Sequence, residues 1–310
     1  MTRTHTTENT IALMFLLLPT LFIVSGLLFF PNNIPRYIET ALLIPLFISL
    51  ILLGAGFLLR KTKPKVSSIA KIFGWTGFAL YWSTQPGTLY FSEGGDFVNA
   101  SLCIIGVYIL CYIAYHEWLS LEGKEKPGCI NWIAGVAGIA GLIYFGIERT
   151  PLARWLIEVV TSQSSWLLNM FTGNVSVKGG IHIFYNNTYA VTIIFACTAV
   201  QSMVLFVGMI LPLPDVDNKR KIYGLLATVV PIYFLNLVRN AGITYLVGTH
   251  IVSINIAHNI IGKGGSLLAL IILLFIVTKI IPELFDEIIC LTELPKRNGP
   301  LEKLIKKKHN

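Results

Sequence analysis

Residues 186–203 read NNTYAVTIIFACTAVQSM. The stretch opens polar, as a loop does, and then runs apolar around a single thiol, Cys197. Read as one element, it enters a membrane-crossing helix over about residues 190–211. Cys197 then lies about seven residues inside the start of that span, or roughly 10 Å at 1.5 Å per residue. A cysteine in such a helix packs as a small hydrophobe, unless neighbouring groups make it a nucleophile. The rest of the chain decides between the two.

Composition places the helix in a membrane. Of 310 residues, 54% are hydrophobic and 13% charged, and mean hydropathy is +0.69. A soluble domain carries about 25% charged residues. Several uncharged apolar runs reach the ~20 residues that a bilayer-crossing helix needs. Eight spans are expected, at roughly 11–30, 37–59, 69–83, 97–118, 130–148, 190–211, 222–247 and 258–281. The third is short and has Lys71 at its start. The first is one of many, so it need not be a cleaved leader. The expected fold class is an all-α polytopic membrane protein of about eight transmembrane helices, with a small extracytoplasmic interfacial helix and a β-hairpin. It forms one membrane domain: five spans over 1–148, the helix and hairpin over 149–189, three spans over 190–281 and a basic tail over 282–310.

The net charge of +8 would suggest nucleic acid in a soluble protein. Here the basic residues sit mostly in loops and the tail, where they encode orientation and face anionic lipid, and no nucleic-acid partner is expected. With the N-terminus inside, the inner segments are 1–10, 60–68, 119–129, 212–221 and 282–310. Counting Lys71 at the inner mouth of span three, they hold seventeen Lys and Arg. The outer segments hold four: Arg36, Arg149, Arg154 and Lys178. Both termini are therefore expected in the cytoplasm. The tail KLIKKKHN reads as a solvated basic end, and Glu283, Asp286 and Glu287 as a solvated helix end.

The long outer segment divides in two. PLARWLIEVVTSQSSWLLNMF puts Leu152, Trp155, Leu156, Val159 and Val160 on one helical face, which suits a helix lying in the interface. NVSVKGGIHIFYNNTYAVTI alternates around Gly179-Gly180 and Asn186-Asn187, the pattern of a short hairpin over the outer surface. The cysteines, Cys103, Cys111, Cys129, Cys197 and Cys290, show no CxxC pair and no Cys/His cluster. No metal, cofactor or disulfide framework is expected.

Within the spans, Arg239 in YFLNLVRNAGITYLV is hardest to explain as packing. A central arginine costs about 2.5–3.5 kcal/mol on insertion scales and usually faces a cavity or partner. It lies about eight residues, roughly 12 Å, from the outer end of its span, a depth similar to that of Cys197. IAHNIIGKGGSLLAL opens the last span, with His258 at the rim and Lys263 about one and a half turns deeper. Three consecutive spans thus direct a thiol, a guanidinium and an imidazole toward one outer pocket. A thiol attacks as thiolate, a histidine moves protons near neutral pH, and an arginine stabilises an oxyanion.

The order FACTAVQSM, then NLVRN, then AHN followed by GKGGSLL, resembles the exosortase/archaeosortase family of membrane transpeptidases over roughly residues 174–281. The resemblance implies a cysteine nucleophile at Cys197, an arginine at Arg239 and a basic third residue, matched by His258 with Lys263 as the alternative. It implies substrates that are secreted proteins ending in a short motif, a transmembrane helix and a basic cluster. These are cut outside the membrane, and in archaea the new C-terminus is joined to a lipid amine. Asn236, Asn240, Asn259, Lys178, His182 and Tyr185 are the candidate substrate-binding residues. The competing reading is a transporter or channel with Arg239 and His258 on its path. A transporter more often shows internal repeats and polar groups at mid-membrane, and neither is evident here.

Overall fold

A computed structural model describes residues 2–30, 35–91, 97–124, 128–297 and 299–306. The helices are α1 (Thr2–Phe29), α2 (Arg36–Leu59), α3 (Pro64–Ser83), α4 (Gln85–Phe91), α5 (Phe97–Leu121), α6 (Gly128–Glu148) and α7 (Pro151–Thr172). Strands β1 (Val175–Lys178), β2 (His182–Tyr185) and β3 (Thr188–Thr192) follow. Then come α8 (Val200–Ile210), α9 (Asn218–Gly248), α10 (Lys263–Ile280), α11 (Pro282–Thr292) and α12 (Pro300–Lys306). They form two compact units, Met1–Ile139 with Asp286–Asn310, and Ala140–Phe285.

Among the described residues, six helices are long and apolar enough to cross a membrane: Thr10–Phe29, Tyr37–Leu59, Phe97–Leu121, Gly128–Glu148, Asn218–Gly248 and Ile256–Ile280. The chain is a multi-pass membrane protein. The two further spans expected from sequence are not among these six. The span at 69–83 belongs to α3, a 20-residue helix. Lys71 is not at its mouth but buried: its Nζ lies 2.8 Å from Glu117 of α5 and donates to Asn131 Oδ1 of α6 at 2.6 Å. A buried cation is tolerated when paired in this way. The span expected at 190–211 is instead the end of β3, a 3₁₀ turn at Phe195–Thr198 and the 11-residue α8. At 1.5 Å per residue α8 is roughly 16 Å long, about half a hydrocarbon core.

The first unit is closed by small residues and by the C-terminus. A Cβ added to Gly138 of α6 would sit 2.8 Å from the Gly54 nitrogen of α2, so glycine is what lets these helices touch. Cys129 and Cys290 form a disulfide across 161 residues, contrary to the expectation of no bridge. Sequence spacing carries no sign of it, because α11 brings Cys290 back to the start of α6 only in three dimensions. Just ahead of the KLIKKKHN end, Leu301 and Glu302 are buried, and Glu302 accepts from the Tyr112 hydroxyl at 2.6 Å. Within KLIKKKHN, read as a solvated basic end, Lys303 is exposed, and residues 307–310 lie outside the described residues.

In the second unit α7 begins with Pro151 at its first position and ends at Gly173, which takes φ 71°, the usual stop and start chemistry. Its buried stripe is Ala153, Val160, Thr161, Ser164 and Leu168. Of the apolar face expected from sequence, Val160 turns inward while Leu152 and Trp155 are exposed. Small side chains go inward because they let α7 pack closely on its neighbours.

The expected hairpin is there with one strand more. β1, β2 and β3 make an antiparallel meander with β3 at an edge. Asn186 and Asn187 join Tyr185 to Thr188 with φ of 50° and 62°. Two positive φ values in a two-residue loop favour Asn or Gly. Asn187→Val should therefore destabilise the unit by about 1–2 kcal/mol, whereas Asn187→Gly should not. Thermal unfolding in detergent reads the difference, and equal midpoints would refute the turn assignment.

Candidate functional site

Cys197 lies in the 3₁₀ turn after β3, not in a helix. Its N–H donates to the Ile194 carbonyl at 2.8 Å, and the turn ends at Ala199, whose φ of 61° is left-handed. That conformation is costly for a non-glycine residue and needs support from outside the turn. The support comes from α9. Asn236 and Asn240 stand one turn apart on the same face, and both donate Nδ2 to the Cys197 carbonyl, at 2.8 and 3.0 Å. The two asparagines are 6% and 3% exposed, so these bonds are shielded from water.

Arg239 joins the same cluster. Its Nη1 donates to Asn236 Oδ1 at 3.2 Å. Its Nε is buried without a hydrogen-bond partner among the described residues. Gly262 closes over it: a Cβ there would lie 3.2 Å from that nitrogen and 2.8 Å from Ile243 Cδ1. Gly262 ends a π-helical segment, Ile256–Gly262, that leads into α10. Such wide turns are rare and recur at functional sites.

A cavity of about 570 Å³ opens beside Cys197. Residues 189–194, Cys197, Asn240, His250 and His258 are among its walls. The thiol and the imidazole therefore share one space. Neither Arg239 nor Asn236 is a wall residue; Arg239 connects to the wall at Cys197 through Asn236.

The other expected site residues divide. Lys263, at the start of α10, does not line the cavity. Asn236 and Asn240, expected to bind substrate, are bonded to the chain's own Cys197. Asn259 is exposed and donates to Asn255. Lys178 is exposed, with its Nζ 4.4 Å from the Phe184 ring centroid. His182 Nδ1 is 2.8 Å from Thr192 Oγ1. Tyr185 is 7% exposed in the apolar core, against Gly248. Sequence reasoning did not single out the third strand or His250, which takes φ 57° beyond α9. The alternation TYAVTI was the signal for the strand; for His250 there was none.

The profile of the transmembrane exosortases matches residues 36–276. The chain belongs to the exosortase family. Archaeosortase A of Haloferax volcanii is 24% identical over 252 residues, covering 69% of this chain and 80% of that protein. No solved structure matches the chain. The matched region of this exosortase holds the Cys197 turn, α9 and the π-helical segment, so the cluster built above falls within the family's shared sequence.

Proposed function

We propose that the chain is a membrane cysteine transpeptidase that removes the C-terminal sorting helix of secreted proteins at the outer membrane face. It then transfers the new C-terminus to a lipid head-group amine. The observation that carries this reading is the shared cavity of Cys197 and His258, with a guanidinium held behind its wall. Membership of the family and the likeness to archaeosortase A support the substrate class.

Cys197 gives its thiol proton to His258 as Sγ attacks the scissile carbonyl; a C–S bond forms and the carbonyl oxygen becomes an oxyanion. The positive charge of Arg239 stabilises that oxyanion through space, with greater effect in a site shielded from water. Collapse breaks the C–N bond, and His258 gives a proton to the departing amine. The acceptor amine attacks the thioester and passes its proton to His258, the C–S bond breaks, and His258 returns that proton to the departing sulfur to restore the thiol. Asn236 and Asn240 hold the turn that presents Sγ, a positioning role rather than the substrate contact expected from sequence. Lys178, His182 and Tyr185 support the sheet beside the cavity.

The orientation is proposed from eight crossings, with α3 and the segment from β3 through α8 counted as spanning; the inner segments then hold sixteen Lys and Arg besides the buried Lys71, against four outside. The Cys129–Cys290 bridge, near the inner face in this scheme, pulls the other way, since a reducing cytosol opposes disulfides.

Hydroxylamine tests the acyl-enzyme. Membranes supplied with a secreted protein carrying motif, helix and basic tail should yield a substrate ending in a hydroxamate. A substrate that keeps its helix, with or without hydroxylamine, overturns the reading. In the same assay His258→Ala should abolish turnover and Lys263→Ala should retain it; the reverse result would move the proton carrier to Lys263.

A further inference from the structure

The transpeptidase reading leaves open how an extended motif is held against Cys197, and β3 bears on that question. β3 is the last strand of its sheet, and no other strand pairs with its far edge among the described residues. The cavity runs along that edge. A void over one face of a strand meets every second residue, yet all six residues 189–194 line this one. The Ile193 N–H donates to the Ile181 carbonyl at 2.9 Å, so it faces β2. Antiparallel strands alternate in this respect, so the N–H and C=O of Thr192 point the other way, to the open edge. The Ile194 N–H points the same way, while its carbonyl is taken by the Cys197 N–H. Three residues further along the chain stands the thiol.

The geometry points to strand addition: the substrate's sorting motif binds as an extended segment hydrogen-bonded to the free edge of β3, which leads its scissile carbonyl to Cys197. Open sheet edges capture peptides in this way, through main-chain bonds that give affinity and side pockets that give selectivity. This rests on the transpeptidase reading above. The motif residues ahead of the scissile bond lie along β3 and the scissile carbonyl lies at Cys197, which follows β3 in the chain, so the peptide runs in the direction of β3 and adds parallel to it. Among the described residues, the cavity wall carries no Asp, Glu, Lys or Arg. The motif side chains that face it are therefore uncharged.

Proline at position 192 isolates the main-chain contribution. Thr192→Pro removes the edge-facing N–H and leaves the ladder to β2 intact, whereas Thr192→Val removes only the hydroxyl that meets His182 and Tyr189. The probe is a secreted reporter carrying motif, helix and basic tail. Thr192→Pro should fall roughly tenfold or more below Thr192→Val in kcat/KM, through KM, the loss expected of one backbone hydrogen bond. The rate of Cys197 alkylation by iodoacetamide reports whether the pocket of each variant is intact.

A second arm reads binding without turnover. In a Cys197→Ala background, single cysteines are placed by Ala190→Cys or Thr192→Cys and along the motif. Strand addition predicts cross-links in step: the motif position that traps 190 lies two residues before the one that traps 192. Equal kcat/KM for Thr192→Pro and Thr192→Val, cross-links out of step, or none at all, overturns the inference. Normal processing by Cys197→Ala would instead remove the transpeptidase reading, while the cross-links still report whether the motif lies along β3.

Discussion

Cys197→Ala is expected to leave the secreted substrate with its C-terminal helix attached, at a rate lower by a factor on the order of 10⁴ or more. The size of the effect follows from the chemistry. With no sulfur there is no thioester, and the reaction falls back on direct attack by water or amine on an unactivated amide. Cys197→Ser tests the same point more finely. It keeps a hydroxyl in place, but a hydroxyl is far less acidic than a thiol and gives its proton to His258 far less readily, so the variant should be nearly as inactive. Neither change should unfold the protein. The Cys197 backbone, which both asparagines grip, is untouched, and the side chain removed is small. Cys103 and Cys111 remain as thiols, so alkylation before and after the substitution identifies which thiol reacts in the cavity. Cleavage at the wild-type rate by Cys197→Ala would overturn the mechanism.

Arg239→Ala should lower kcat by about 10²–10³, the loss found when one preorganised group that stabilises an oxyanion is removed. Arg239 also touches Asn236 Oδ1, so a purely structural role must be separated from an electrostatic one. Arg239→Lys does this. Lysine keeps the charge but loses the planar fork. If the charge acts through space on the oxyanion, Arg239→Lys recovers much of kcat and leaves KM near that of the wild type. If Arg239 serves only to hold Asn236 and the Cys197 turn, lysine and alanine behave alike, and the alkylation rate of Cys197 falls with both. The second pattern would strip Arg239 of the role proposed for it.

Much of the fold is legible in the chain, for a definite reason. Hydrophobic runs of helical length have one outcome in a bilayer, since every backbone group must be bonded within the segment. Six of the expected spans accordingly match helices long enough to cross. The two that differ are those where local pattern and tertiary context disagree. Lys71 looks like a flanking charge until Glu117 and Asn131 are seen beside it. The run TYAVTIIF is apolar enough for a span, but its β-branched residues extend a sheet already nucleated by the Asn186-Asn187 turn. Periodicity cannot separate a short buried strand from a buried helix.

The site divides along the same line. Cys197, Arg239 and His258 stood out in sequence because each is an expensive or reactive group in an apolar setting, and the cost of burial is a property of the residue type. The helical rise that sets the depth of Arg239 does not apply to Cys197, which is on a 3₁₀ turn. The two asparagines that clamp its carbonyl, the wide turn that brings Gly262 against Arg239, and the edge of β3 along the cavity arise from contacts between residues 23 or more apart. The chain by itself determined the membrane setting and the residues of interest. Their arrangement was decided by long-range hydrogen bonds and close packing, which no local pattern encodes.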